Sequence, residues 1–251
     1  MAEKKTELQH AVDEYLLYNQ EVNYFYCGKN NGIKKFLSLF EHGKCVFDRN
    51  SPDGVIYDNN TVFIIEHFEF DCYENGRRGS KGRRELEGRI AKESKRIFAE
   101  KANAYNHGTI CSATSYRNYV ENVKRNFESH YANIKTYKEN LRKEGIISDS
   151  SNVEVLFFIE DTTPLGTMVQ TQSCALPVCL GQCQEFLALL STRKDVNYVI
   201  ACSKNGSNKI IWFISNEEIS KYQKAATEYS EMTFTHLSPQ IYEFQRKLNP
   251  Q

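Results

Sequence analysis

The sequence predicts an α/β protein in which helices cover both faces of one sheet, and three observations carry that prediction. Helical and strand patterns alternate in the order helix, three strands, long helices, strand, helix, two strands, helix. The run from Val153 to Ile159 is apolar without interruption, as in a central strand buried on both sides. The segments Gly54 to Asp58 and Thr61 to Phe70 are separated by Asn59-Asn60, a pair that tolerates positive φ and suits a tight turn between antiparallel strands.

The elements follow in order. Thr6 to Tyr18 reads as an amphipathic helix, with Leu8, Val12, Tyr15 and Leu16 on one face and Thr6 as N-cap. After a turn at Lys29 to Gly32, a second helix, Ile33 to Phe40, stops at Gly43. Lys44 to Asp48 is the first strand and the Asn59-Asn60 hairpin supplies the next two. Cys72 to Gly82 is a polar, glycine-rich loop leading into a helix from Arg83 to Asn106, striped by Leu86, Ile90, Ile97 and Ala104. A further helix, Asn118 to Lys143, carries Tyr119, Val123, Phe127, Tyr131, Ile134, Tyr137 and Leu141 at steps of three and four. Beyond the central strand come a loop with Pro164 and Gly166 and a helix near Leu180 to Leu190. Tyr198 to Cys202 and Lys209 to Ile214 form a hairpin about Asn205-Gly206, and the chain returns to helix, broken before Pro239. One domain over residues 1–251 accommodates all of it.

Composition narrows the class. Apolar runs such as Val62 to Ile65 fall far short of the roughly 20 residues of a membrane-spanning helix, and the N-terminus is charged where a signal peptide is apolar, so the expected location is the cytoplasm, with no membrane partner. Eight cysteines then read as reduced thiols; Cys174, Cys179 and Cys183 lack the C-x2-C spacing of a zinc knuckle. With 32 basic and 32 acidic residues the net charge is +0, so any affinity for a polyanion must be local.

The chemistry concentrates between Ser51 and Asp71. If Asn59-Asn60 is the turn, Asp53 at the mouth of one strand lies opposite Glu66 in the next, and two carboxylates converge. Carboxylate oxygens are what Mg²⁺ prefers. Glu66 follows Val62-Phe63-Ile64-Ile65, deep in an apolar strand where an unpaired carboxylate is costly, so it needs a partner. Strand alternation turns His67 to the opposite sheet face from Glu66. Glu69, Asp71, Glu160 and Asp161 are further acids at strand ends, and Glu41 stands before the first strand.

From Ile33 to Asp161 the chain resembles the PD-(D/E)XK nuclease superfamily, with Pro52-Asp53 as its first motif and Glu66-His67-Phe68 as its second. The resemblance implies a three-layer α/β fold with a central mixed β-sheet flanked by helices, a restriction-endonuclease-like core over about 33–161. A helical elaboration at about 107–147 would cover the substrate, and 162–251 would extend the sheet and add C-terminal helices. It implies Asp53 and Glu66 as ligands of Mg²⁺ or Mn²⁺, and a lysine two residues beyond the second acid that helps activate water. Phe68 occupies that position and has neither charge nor a donor. Lys92 and Lys95 on the next helix are the candidate replacements, and Lys81 in the loop is another.

Arg77, Arg78, Lys81, Arg83 and Arg84 put five cations into eight residues beside this strand, where glycines free the backbone to approach phosphates that Arg can grip bidentately. The expected function is metal-dependent hydrolysis of phosphodiester bonds in nucleic acid, with DNA as substrate and a homodimer where both strands are cut. The alternative, raised by Phe68, is a catalytically inactive nuclease-like domain that binds nucleic acid or a protein partner.

Overall fold

The computed structural model describes residues 6–17, 23–26, 31–42, 45–47, 52–73, 75–76, 79–80, 85, 88–93, 95–96, 105–110, 115–163, 167–170, 175–177, 179–205, 208–226, 234–236 and 240–245. The chain divides into two compact units, the first comprising Met1–Phe70, Val123–Thr162 and Cys179–Tyr229.

The first unit is built on a seven-stranded mixed sheet. Its strands are β1 (Asn23–Tyr26), β2 (Cys45–Val46), β3 (Gly54–Asp58), β4 (Thr61–Phe70), β5 (Asn152–Asp161), β6 (Tyr198–Asn205) and β7 (Asn208–Ser215). Their order across the sheet is β1-β7-β6-β5-β4-β3-β2. The central trio β4, β5 and β6 is parallel, and the pairs β2–β3, β3–β4 and β6–β7 are antiparallel. The apolar run in β5 is central as its sequence required, with every residue from Val155 to Asp161 buried. β1 was not legible beforehand; its four residues join the edge of the sheet beside β7.

Helices lie on both faces. On one, α1 (Glu7–Val12), continued as a π turn over Asp13–Leu17, and α2 (Asn31–Glu41) bury Leu8, Val12, Leu16, Ile33 and Phe36 in a core with Phe63, Ile65, Leu156, Phe158 and Phe213 of the sheet. Thr6 caps α1 as expected, its Oγ1 accepting from Gln9 N at 3.2 Å. On the other face, α3 (Tyr116–Tyr131) sets Phe127 against Phe157 with ring centroids 4.7 Å apart, and Phe186 of α5 (Gln184–Ser191) meets the same ring edge-on at 5.6 Å. The protein is therefore α/β, a mixed sheet between two helical layers.

The helix expected from Asn118 to Lys143 is two, α3 and α4 (Ile134–Lys143), separated at Ala132-Asn133. Periodicity runs through the break because both helices bury one stripe, so the stripe alone does not reveal it. In the second unit, Asp71–Asn122, Thr163–Val178 and Ser230–Gln251, the helix expected to run to Asn106 has ended by Tyr105. There Tyr105–Ile110 is a strand paired antiparallel with Gln240–Gln245. The region 107–147 is thus not wholly helical. Among the described residues the expected C-terminal helix is likewise limited to α6 (Ile219–Ala225) in the first unit, followed in the second by the strands Phe234–His236 and Gln240–Gln245. Thr167–Gln170 pairs with both Ala175–Pro177 and Phe234–His236, and Asn75–Gly76 pairs with Gly79–Ser80. Among the described residues no helix is long and apolar enough to cross a membrane.

Candidate metal centre

The β3–β4 hairpin places the first two acids. Asn59 sits at φ 54°, the left-handed conformation that an Asn-Asn turn supplies, and the register follows: Asp58 pairs with Thr61 and Gly54 with Ile65. Asp53 therefore falls opposite Glu66, as the turn position requires. The loop is tied to the sheet, since Asn60 Nδ2 donates to Ser150 O at 2.7 Å and Asn60 O accepts from Asn152 N at 2.9 Å. Gly54 keeps the strand mouth close to α1: a Cβ there would lie 2.7 Å from Leu8 Cδ2. Asp53 is held by the backbone, its Oδ2 accepting from His67 N at 2.8 Å.

Glu66 projects from β4 toward the layer containing α3 and α4, and is 1% exposed. Its Oε2 lies 2.8 Å from His130 Nδ1, whereas Oε1 is buried with no hydrogen-bond partner. Burial pushes its carboxyl above the usual range and the charge on Asp53 adds to the rise; hydrogen bonds from His130 and from the Tyr137 hydroxyl, together with the His130 charge, act the other way. Burial dominates, so an ionised Glu66 is under-compensated by its neighbours.

His130 completes the cluster. Donor atoms of Asp53, Glu66 and His130 all lie within 4.8 Å of one another. The imidazole arrives on the last turn of α3, which is fixed by four contacts. Asn126 Nδ2 donates to Glu69 O at 2.9 Å, Phe127 packs on Phe157, Arg193 pairs with Glu128 at 2.8 Å, and Tyr131 Oη donates to Asp195 Oδ1 at 2.7 Å. Phe68, two residues beyond Glu66 on the same strand face, stacks on the His130 ring at a centroid distance of 5.2 Å and an interplanar angle of 28°. The sequence reading did not single out His130. Val123, Phe127 and position 130 share one helix face in the sequence, but that period does not say what the face meets.

The other expected residues divide. His67 faces away from Glu66, as alternation requires, and its Nε2 lies 2.7 Å from Glu160 Oε1 in a buried pair. Glu160 is thereby committed to the opposite sheet face, although β5 does neighbour β4. Glu69 and Glu41 are exposed, and Asp71 Oδ1 accepts from Tyr73 N at 3.0 Å in the second unit. Lys92 and Lys95 are exposed on helical residues of the second unit. Arg77, Arg78, Lys81, Arg83 and Arg84 lie outside the described residues.

No protein-family model, curated protein or solved structure matches the chain.

The donor set fits a divalent cation. A buried carboxylate whose free oxygen has no partner, beside a second carboxylate and an imidazole, is a group that a positive charge would satisfy. Adjacent donors bonded to one ion at about 2.1 Å stand roughly 3 Å apart, so closing a cluster whose donor atoms lie within 4.8 Å of one another needs movements on the order of 1 Å.

Proposed function

We propose that the chain is a metal-dependent nuclease with a restriction-endonuclease-like core, hydrolysing phosphodiester bonds in DNA, with Asp53, Glu66 and His130 holding Mg²⁺ or Mn²⁺. One observation carries the reading: Glu66 Oε1 is buried and unpartnered beside Asp53 and His130. A structural glutamate so deep would be expected to have both oxygens satisfied, because an unmet buried charge costs about 1–3 kcal/mol or more. Bound there, the cation would supply Lewis acidity and a water of lowered pKa.

The chain's own residues have separate tasks. Asp53, fixed by His67 N, and Glu66 supply the negative charge that draws the cation in. His130 offers a nitrogen donor from α3. Arg77, Arg78, Lys81, Arg83 and Arg84 would grip the phosphate backbone, and Phe68 leaves the water-orienting task to another group.

The test is cleavage of single- and double-stranded DNA and RNA by the purified chain, with EDTA, Mg²⁺ or Mn²⁺, for wild type and Asp53→Ala. Metal-stimulated cleavage of DNA that falls by at least about a hundredfold in the variant is expected, the scale of losing one electrostatic group at such a centre. No cleavage, or equal cleavage by Asp53→Ala, refutes the proposal. Phe68 favours a second reading, a domain that binds nucleic acid without cutting it; that reading predicts retention of labelled DNA together with no cleavage in any metal.

A further inference from the structure

The position where the resembling family carries a lysine is occupied by a ring that stacks on a nitrogen donor, and this bears on which ion the site takes. Phe68 is 5% exposed and shares its strand face with Glu66, so its ring is fixed by the sheet rather than by solvent. It lies nearly parallel to the imidazole of His130 at 5.2 Å, while Nδ1 of that imidazole points at Glu66 Oε2 at 2.8 Å. The α3 anchors at Asn126 and Tyr131 bracket His130 along the helix. The imidazole is therefore held on its face by Phe68 and along its helix by hydrogen bonds.

Donor chemistry then decides between ions. Mg²⁺ is hard, takes oxygen donors and gives up its water reluctantly, whereas imidazole suits the divalent first-row transition metals. A site built only for Mg²⁺ gains nothing from an immobilised imidazole. We propose that the Asp53–Glu66–His130 site selects a divalent transition-metal ion of the Mn²⁺ class over Mg²⁺, with His130 as the nitrogen ligand and Phe68 as the residue that positions it. This rests on the cation-binding half of the function proposed above and is independent of whether the bound ion supports cleavage. It also gives Phe68 a task of its own: the ring orients a ligand where a lysine would have oriented water.

The experiment is calorimetric titration of the full chain with MnCl₂ and with MgCl₂, joined to pulsed electron paramagnetic resonance of the Mn²⁺-bound protein, in which a directly bonded imidazole gives ¹⁴N modulation. Wild type, His130→Asn, Phe68→Leu and Phe68→Tyr are compared, each with a circular dichroism spectrum and thermal melt to establish folding. Mn²⁺ is expected to bind at least about tenfold more tightly than Mg²⁺ in wild type, with ¹⁴N modulation present. His130→Asn, which substitutes an oxygen donor, removes the modulation and most of the preference, leaving Mg²⁺ affinity within about threefold. Phe68→Leu weakens Mn²⁺ by about tenfold or more, the usual cost of losing a group that orients a ligand, and Phe68→Tyr, which keeps the stacked ring, restores it. Equal affinities for the two ions in wild type, a preference unchanged in His130→Asn, absence of ¹⁴N modulation, or no ion bound at all overturns the inference. Cleavage assayed on the same samples separates the two proposals. A His130-dependent Mn²⁺ site with no cleavage upholds this inference and refutes the nuclease. Asp53-dependent cleavage with no ion preference does the reverse.

Discussion

Replacing Glu66 by Gln should make the metal-free protein more stable and the metal-loaded protein less so. Glu66 is 1% exposed, one of its oxygens has no partner, and burial outweighs His130 and Tyr137 in setting its proton affinity. Glutamine keeps the shape and can still accept from His130, but brings no charge into the interior. Relief of one under-compensated buried carboxylate is expected to be worth about 1–3 kcal/mol, which in a chain of this size raises the melting temperature by roughly 2–12 °C. The sign with pH follows from the raised carboxyl. Below the ordinary value of 4.5 the side chain is protonated folded or unfolded, and wild type and variant should melt alike. As pH climbs above 4.5 toward the higher folded-state value, wild type must either hold a proton that the unfolded chain releases or bury a charge, and it loses stability relative to Glu66→Gln. Saturation with Mn²⁺ at 100 times the dissociation constant should restore about 2.7 kcal/mol to wild type and much less to the variant. Scanning calorimetry in EDTA and in MnCl₂ at pH 4, 6 and 8 measures all of this. A variant no more stable than wild type at pH 8 in EDTA, or a difference that does not change with pH, would refute the reasoning that Glu66 is held at an energetic cost for a cation.

Substitutions at two further positions test the frame around the site. Gly181 faces the Trp212 ring so closely that a Cβ would come within 3.0 Å of Cγ, Cδ2 and Cε3; Gly181→Ala should therefore displace the ring and cost about 1–3 kcal/mol. Trp212 is the only tryptophan in the chain, so a lower urea midpoint should come with a red-shifted native emission, and an unchanged midpoint and spectrum would contradict the packing. At the hairpin, Asn59 holds φ 54°; Asn59→Gly should be tolerated, and Asn59→Val should cost about 1–2 kcal/mol and loosen the register that faces Asp53 to Glu66. Urea melts in which the two variants behave alike would show that the turn does not set this register.

The sequence by itself determined what depends on short-range rules. A turn pair that accepts positive φ, together with the two-residue period of strands, placed Asp53 opposite Glu66 and turned His67 to the other face, and hydrogen bonds and pairing in the structure agree at each point. The continuous apolar run located the central strand for the same reason, since a strand covered on both faces leaves no position for a polar side chain. Tertiary structure alone decided what those carboxylates meet. His130 reaches Glu66 from 64 residues away, by a helix docking through Asn126, Phe127 and Tyr131, and no local period encodes that approach. The same holds for Glu160, drawn to His67 rather than to the acids, and for the strand pairing of Tyr105–Ile110 with Gln240–Gln245. Pairings across such separations are selected by the burial they jointly achieve, which a single segment read alone does not carry. The acid pair was therefore written in the hairpin, and its third partner was written only in the way the helix layer packs on the sheet.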